Sequence, residues 1–316
     1  MISNTDFKSA IFDGYHEIIS LPPTPRVFTL SIKKKFDGFS LIDVFSQSFS
    51  HVDQAFWENK IHTGNLTLDG KKVPPNQVVR AGQITQHSSP YKPEPPINYA
   101  LELIHATNEF WIINKPSPLP VHAGGRYLNH TLKKLLETSF PKQQFHLINR
   151  LDANTTGLVL VALNKNAAQN LNQQFQNQSV TKTYLALVEG IPVQDRFSST
   201  KSIGKEKTPA GGRKIESGKD SFTEFKIRTK LDHKTLLEVT PHSGRTNQIR
   251  LHLADMGFPI VGDLGYKNPE YFDKKPLTYD EDTLYLHSWK LKFKSPLSQN
   301  EIEFEAPTNE KWSPYV

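Results

Sequence analysis

The 316-residue chain has no cysteine. This absence excludes disulfide bonds, thiolate zinc sites, iron–sulfur clusters and a cysteine nucleophile, and it is compatible with a reducing cytoplasm. The N-terminal sequence also lacks a basic stretch followed by a long apolar run, so it is unlike a signal peptide. No segment approaches the apolar length that a membrane span requires. We therefore expect a cytoplasmic protein with no membrane segment.

Neither sign of charge dominates the chain. The 38 Lys and Arg residues exceed the 32 Asp and Glu residues, which gives a net charge of +6. Hydrophobic residues make up 36% and charged residues 22%, the composition of a folded protein and not of a disordered one. The positive excess suits contacts with phosphates, each of which releases a counterion. By itself it leaves open whether the protein binds a nucleic acid.

Proline-rich stretches indicate where the chain divides. We expect an irregular arm over residues 1–30, because it contains the rigid, extended sequence LPPTP. A small unit follows over residues 31–87, with two short helices and an Asp-Gly turn of the kind that joins paired strands. The sequence SSPYKPEPP suits neither a central strand nor a helix interior, so residues 88–96 are interpreted as a linker. Residues 97–316 then form a large domain.

The hydrophobic pattern of the large domain predicts more strands than helices. The run LVLVAL at residues 158–163 is apolar throughout, which indicates a strand buried on both faces. Helices are predicted at residues 166–177 and 246–256. Further strands are expected at residues 110–113, 182–188, 222–227, 235–239, 284–287 and 290–294. This distribution favours an α+β domain on a mixed sheet.

Three polar segments contain residues able to carry chemistry. In INRLDANTTG, Asp152 follows Arg150 and precedes the buried strand, so it is either a turn residue or a carboxylate held ionised by arginines. In HSGRTNQIR, Arg245 lies at the start of a predicted helix, either in solvent or paired with a distant carboxylate. In KTY, Tyr184 lies on a predicted strand, where most tyrosines fill a core. Taken singly, each segment has an ordinary structural explanation.

Several motifs of the large domain follow one another in a specific order along the chain, and this order is more informative than any single motif. They are NKPSPLPVHAGGRY from Asn114, NRLDANTTGLVLVA from Asn149, KTYLALVEG from Lys182, ESGKDSFTEFKI from Glu216, HSGRTNQIRLHLADMGFPIVGD from His242 and LHSWKLKF from Leu286. From residue 97 to the end, this series resembles the RluA-type family of pseudouridine synthases. The unit at 31–87 is similar to the small S4-like RNA-binding domain often attached to these enzymes. The implied fold is α+β, with a mixed, mainly antiparallel central sheet, flanking helices and loops, and an S4-like α+β unit.

The resemblance implies an isomerase that converts uridine to pseudouridine in structured RNA, either ribosomal or transfer RNA. The reaction cleaves the bond between ribose and uracil N1, turns the base and reconnects it through C5. A carboxylate beside the sugar carbon can attack it or stabilise its positive character, so neither a metal nor a cofactor is expected. The sequence leaves open which RNA is modified and whether the route is covalent or through a glycal. A monomer is expected.

The resemblance also assigns roles to residues. The family's essential aspartate corresponds to Asp152, and the tyrosine that stacks on the uracil corresponds to Tyr184. Arg245 matches the arginine that pairs with the catalytic aspartate and keeps it ionised. Arg150 matches the residue that contacts RNA and fills the space left by the everted base. Further RNA contacts are expected at Asn149, Lys182, Asn247 and Arg250 in the large domain and at Lys33, Lys34 and Lys35 in the small unit.

Two other classes of function compete with this interpretation. An RNA-binding or assembly protein could retain the fold without activity, although the presence of Asp152, Tyr184 and Arg245 argues against such decay. A hydrolase with a metal held by His122, His242 and His252 is a third hypothesis. Those histidines lack tight ligand spacing and neighbouring carboxylates, so no metal site is expected.

Overall fold

The computed structural model describes residues 2–21, 26–50, 52–89, 93–204, 213–215, 218–267 and 284–316. Within it the chain forms two units: Leu21–Pro93 is one, and Met1–Ser20 together with Glu94–Val316 is the other. Parts of the expected proline-rich segment and of the expected linker at 88–96 lie outside the described residues. No helix of the described ranges is both long and apolar enough to traverse a bilayer.

Helix α1, Asn4–Ser20, is the first element of the larger unit. The Ser3 hydroxyl caps it by accepting the N–H of Asp6 at 3.1 Å and donating to the Asp6 carboxylate at 2.6 Å. Phe7 and Ile11 lie one turn apart and are buried in the core of this unit. The expectation of an irregular arm is therefore wrong for this stretch. Helical spacing and a Ser-x-x-Asp cap decide its structure, because the prolines come only after the helix has ended.

The smaller unit is a three-stranded antiparallel sheet with two helices. Its elements are β1 (Arg26–Ser31), α2 (Leu41–Ser48), α3 (Gln54–His62), β2 (Leu66–Leu68) and β3 (Ile84–Ser89), and the strand order is β1-β3-β2. Ser40 caps α2 and Asp53 caps α3. Both predicted helices are present. At the Asp-Gly turn only Lys71 pairs back with Leu68, and the main partner of β2 is β3.

A ten-stranded sheet forms the centre of the larger unit. Its strands are β4 (Glu102–Ala106), β5 (Phe110–Lys115), β6 (His146–Leu147), β7 (Thr156–Ala162), β8 (Thr181–Glu189), β9 (Arg196–Ser199), β10 (Thr223–Lys230), β11 (Lys234–Pro241), β12 (Leu286–Lys294) and β13 (Glu301–Glu305). The order is β4-β5-β7-β12-β8-β11-β10-β9, with β6 paired to β7 and β13 to β12. Strands β7 and β12 are parallel, and the other paired strands of the described residues are antiparallel. The predicted mixed, mainly antiparallel α+β sheet is confirmed.

The larger unit also contains the helices α4 (Leu132–Ser139), α5 (Lys165–Gln176), α6 (Gln248–Asp255) and α7 (Leu264–Lys267). Helices pack on the faces of the sheet, α5 against β7 and α6 against β10 and β11. Alternate residues of β7 enter opposite cores: Val159 and Val161 pack with residues of α1 and α4, whereas Leu158 and Leu160 pack with residues of α5. This arrangement explains the uninterrupted apolar run, because a strand covered on both faces has no side for polar residues.

Candidate active site

Asp152 lies in the tight loop between β6 and β7. The N–H of Thr155 donates to the Asp152 carbonyl at 3.1 Å and closes the turn. Lys115 is completely buried, and its ammonium group donates to the Ala153 carbonyl at 3.2 Å. The N–H of Leu119 donates to the same oxygen at 2.9 Å. Two donors from the protein interior therefore fix the backbone directly after Asp152.

Gly157 follows this turn at the start of β7. Its φ of +106° is unfavourable for any residue with a side chain, and a β-carbon there would collide with the carbonyl oxygen of Ser288. Its lack of a side chain allows β7 to lie beside β12, where Gly157 pairs with Ser288. Ser288 is in turn paired with Tyr184 of β8. The glycine therefore keeps the strand after Asp152 close to the strands that carry Tyr184.

A cavity of about 280 Å³ opens beside Asp152. The predicted site residues that line it are Asn149, Arg150, Asp152, Lys182, Tyr184, Arg245, Asn247 and Arg250. Its wall is rich in cationic side chains, which suits a polyanionic ligand. The three remaining predicted residues, Lys33 to Lys35, belong to the smaller unit, where they are exposed beside or within a 3₁₀ turn.

Arg250 of α6 pairs with Asp152. Its Nη1 atom lies 3.2 Å from Oδ2 of Asp152. Its Nε and Nη2 atoms donate to the two oxygens of Asp263 at 2.7 and 2.8 Å. The guanidinium carbon lies 4.8 Å from the centre of the Tyr266 ring. One largely buried cation thus connects two carboxylates that are distant in sequence.

The partners of Arg250 stabilise its charged form. Burial alone would lower the pKa of this guanidinium, but the hydrogen bonds and charge of Asp263, with the charge of Asp152, raise its pKa above the ordinary value. The side chain therefore remains a cation at every pH at which the protein is folded. A permanent cation therefore lies beside the carboxylate of Asp152.

The prediction that Arg245 pairs with Asp152 is wrong. The Nε atom of Arg245 donates to the Asp220 carbonyl at 3.2 Å, and its backbone N–H donates to Gln248 at 3.0 Å. Asn247, in the left-handed conformation with φ 57°, separates the turn that contains Arg245 from α6. Helix α6 therefore begins later than predicted, and its first turn carries Arg250 to the carboxylate, whereas Arg245 remains at the cavity wall.

Tyr184 lies on β8 near Asp152. Burial raises the pKa of its phenol to about 12, with a further increase from the charge of Asp152 and an opposing hydrogen bond from Ser288. The hydroxyl therefore remains protonated near neutral pH and can donate a hydrogen bond. Its ring lines the cavity. Stacking or hydrogen-bond donation fits this environment better than proton abstraction does.

The other predicted residues have definite surroundings. Lys182 donates to the Ser243 carbonyl at 3.4 Å, and burial lowers the pKa of its amine. The Asn149 side chain bridges the backbone of Leu158 and Leu160 at 3.1 and 2.8 Å, so it holds β7 as well as lining the cavity. Asn247 accepts from Arg250 at 3.3 Å and donates to the Tyr266 hydroxyl at 2.7 Å.

Within the described residues, the three histidines considered as metal ligands, His122, His242 and His252, do not form one metal site. His242 pairs with Glu224. His252 is buried, and its ring nitrogens bond to the hydroxyls of Thr223 at 2.9 Å and Ser221 at 3.1 Å and to the Lys201 carbonyl. Within the described ranges, no group of three or more His, Cys, Asp or Glu side chains is arranged to hold a metal ion.

Comparison with known proteins agrees with this geometry. The family model of RNA pseudouridylate synthases matches residues 109–255. An uncharacterized RNA pseudouridine synthase of Synechocystis is 31% identical over 272 residues, which is 84% of this chain and 93% of the relative. Ribosomal large subunit pseudouridine synthase C of Vibrio cholerae is 32% identical over 244 residues, covering 75% of this chain and 77% of that protein.

A solved structure supports the same assignment. Human RNA pseudouridylate synthase domain containing 1 superposes with a TM-score of 0.54 at 28% identity, over 69% of this chain and 86% of that one. An inactive RNA-binding protein that merely retains the fold is not favoured by these similarities. The chain belongs to the RluA-type family of RNA pseudouridine synthases.

Proposed function

We propose that Asp152 is the catalytic carboxylate that isomerises a uridine everted into the cavity. The observation that carries this proposal is the position of Asp152 in the cavity wall, ion-paired with Arg250 at 3.2 Å. When N1 of uracil leaves C1′, positive character develops on the sugar, and a carboxylate at that carbon can attack it or stabilise it. After the base turns, the bond between C1′ and C5 forms and releases the carboxylate, C5 loses its proton, and N1 takes up a proton, so the product is an isomer of uridine.

Only one oxygen of Asp152 is committed to the ion pair. Oδ2 accepts from Arg250, whereas Oδ1 has no hydrogen-bond partner among the residues that the structure describes. Oδ1 is therefore the oxygen available to C1′. Arg250 holds the carboxylate in one orientation, which limits the loss of freedom when substrate binds.

The cavity suits a single nucleoside. Its volume of about 280 Å³ is near the lower end of the range for small-molecule sites, and too small for a stacked duplex. Because C1′ and the base edge cannot be reached within a helical stack, the uridine must be everted. Tyr184 then stacks on the uracil, and the exposed Arg150 occupies the vacated position in the RNA.

The proposed substrate is ribosomal RNA of the large subunit, because several relatives bear that name. An enzyme with this substrate would act in the cytoplasm, and we propose that it does so as a single chain. The smaller unit would supply an S4-like RNA-binding surface. Its exposed Lys33, Lys34 and Lys35 would contact phosphates, since each phosphate that a lysine neutralises releases a counterion from the RNA.

Tritium release from RNA labelled at C5 of uridine tests the catalytic assignment. We expect wild type and the control Asp195→Ala to release equal amounts of tritium. The control removes an exposed carboxylate that lies directly before β9 and pairs with Lys230. Asp152→Ala should release none. Pseudouridine mapping in total RNA with and without the gene then identifies the substrate. A missing site in transfer RNA alone would contradict the proposal of a ribosomal substrate.

A further inference from the structure

Asp263 lies directly before α7 and is 2% exposed. Its Oδ2 accepts Nε of Arg250 at 2.7 Å, and its Oδ1 accepts Nη2 at 2.8 Å. The backbone N–H groups of Gly265 and Tyr266 also donate to Oδ1, at 3.1 and 3.2 Å. These donors reach both oxygens from two directions, so the carboxylate cannot rotate without breaking several hydrogen bonds.

The contact with Asp263 determines how Arg250 faces Asp152. A guanidinium group is planar, so fixing Nε and Nη2 also fixes the direction of Nη1. Nη1 is the atom that donates to Asp152 at 3.2 Å. The ring of Tyr266 lies against the guanidinium at 4.8 Å and limits tilting. Asp152 is therefore oriented by Arg250, and Arg250 is oriented by Asp263.

Asp263 also changes the charge of the cluster. Asp152 and Arg250 alone would form a neutral pair, whereas both carboxylates with the one guanidinium carry a net charge of minus one. Positive charge that develops on the ribose is stabilised better by a cluster with net negative charge than by a neutral pair. The permanent cation can thus hold Asp152 in place without cancelling the charge that acts on the sugar.

We propose that Asp263 is a positioning residue for the isomerisation, which fixes the guanidinium of Arg250 against Asp152 and balances its charge. This inference rests on the proposed catalytic role of Asp152. Asp263 does not touch the substrate. Its removal should therefore slow the chemical step and leave RNA binding almost unchanged.

The test compares Asp263→Asn and Asp263→Ser with wild type in single-turnover kinetics over a range of RNA concentrations. We expect the rate at saturation to fall about 10- to 100-fold, with half-saturation by RNA within a few-fold, because a displaced Arg250 misplaces Asp152. The control Asp195→Asn removes one exposed negative charge elsewhere and should change neither property.

A double-mutant cycle tests whether Asp263 acts through Arg250. Arg250→Gln combined with Asp263→Asn should be no slower than Arg250→Gln alone, because the second change has no partner left to misplace. Losses that multiply would overturn the proposal. So would a folded Asp263→Asn protein with the wild-type rate at saturation, or failure of both Asp263 variants to fold, which would make Asp263 purely structural.

Asp152→Ala in the same assay separates this inference from the proposed function. If Asp152→Ala is active, the catalytic assignment itself fails. If Asp152→Ala is inactive and the folded Asp263 variants match wild type in their rate at saturation, only the role of Asp263 is rejected.

Discussion

Asp152 and Arg250 are 98 positions apart in sequence, and their side chains meet at 3.2 Å beside the cavity. The contact joins the turn before β7 to the first turn of α6. It provides one carboxylate with a fixed orientation, a permanent cationic partner and a second oxygen that can face a ribose. The activity of this enzyme is expected to depend on that contact more than on any other ion pair of the described chain.

Arg250→Lys and Arg245→Ala should have different effects. Lysine retains a positive charge but cannot contact Asp263 with two nitrogens and Asp152 with a third, so the single-turnover rate should fall about 10- to 100-fold. Arg245→Ala leaves the pair intact and should mainly weaken RNA binding. Rapid-quench measurement over a range of RNA concentrations separates the two effects. A larger loss of maximal rate in Arg245→Ala than in Arg250→Lys would contradict this assignment.

Tyr184→Phe should retain most of the activity between pH 6 and 9. The pKa of the phenol is raised to about 12, so it is protonated throughout this range and cannot act as a base that titrates there. The pH profile of the variant should therefore parallel that of wild type. Tyr184→Leu, which removes the ring, should lose activity by about 5- to 150-fold because base stacking contributes about 1–3 kcal/mol. A change in rate at high pH that wild type shows and Tyr184→Phe lacks would contradict this prediction, because it would show that the hydroxyl titrates in this range.

Gly157→Ala should destabilise the larger unit by about 2 kcal/mol or more in urea unfolding. The substitution combines a positive φ with a collision against the Ser288 carbonyl, and two strands would have to separate to relieve it. Gly124→Ala is the matched control, because a β-carbon there meets no atom within 4 Å and its φ is not positive. The control should change the free energy of unfolding by less than about 0.5 kcal/mol. An equal change in the free energy of unfolding for the two variants would contradict the close approach of β7 and β12.

Lys182→Met should weaken RNA binding and reduce its dependence on salt. Each lysine that contacts a phosphate contributes about one unit to the slope of log affinity against log salt concentration. Because burial lowers the pKa of Lys182, wild-type affinity should also decline with rising pH earlier than for an exposed lysine. The control is Lys292→Met, which changes an exposed lysine paired with Glu301. An unchanged salt slope in Lys182→Met would exclude a phosphate contact.

Local patterns were sufficient to predict much of the fold. The apolar run at 158–163 predicted β7, since burial on both faces leaves a direct mark on the sequence. Helix α1 was not predicted, because the prolines beyond Ser20 indicate an extended chain whereas the helical signal is limited to the spacing of a few apolar residues such as Phe7 and Ile11. The two short strands expected at 284–287 and 290–294 are one strand, β12, whose register with β8 shifts between Ser288 and Lys290.

Asp152 and Tyr184 were predictable as residues of the site, because each lies in a motif that occurs in the order expected for the family, and both line the cavity. The partner of Asp152 was not, because the choice between Arg245 and Arg250 depends on the left-handed residue that delays the start of α6. Lys115 was also missed, since a lysine is almost never fully buried unless it is paired. The signal in the sequence was its position at the end of an apolar strand, directly before Pro116. Asp263 ends the motif that begins at His242, but its contact with Arg250, on which its proposed role rests, was not predictable from the motif.

The most direct measurement is the single-turnover rate of Asp152→Asn on RNA with one modifiable uridine, with enzyme in excess. The amide retains the shape of the side chain but has no negative charge to attack or stabilise C1′. We predict that the rate falls by at least about 10⁴-fold while RNA affinity stays within a few-fold of wild type. Turnover by the Asn variant within about tenfold of wild type would contradict the catalytic role of Asp152.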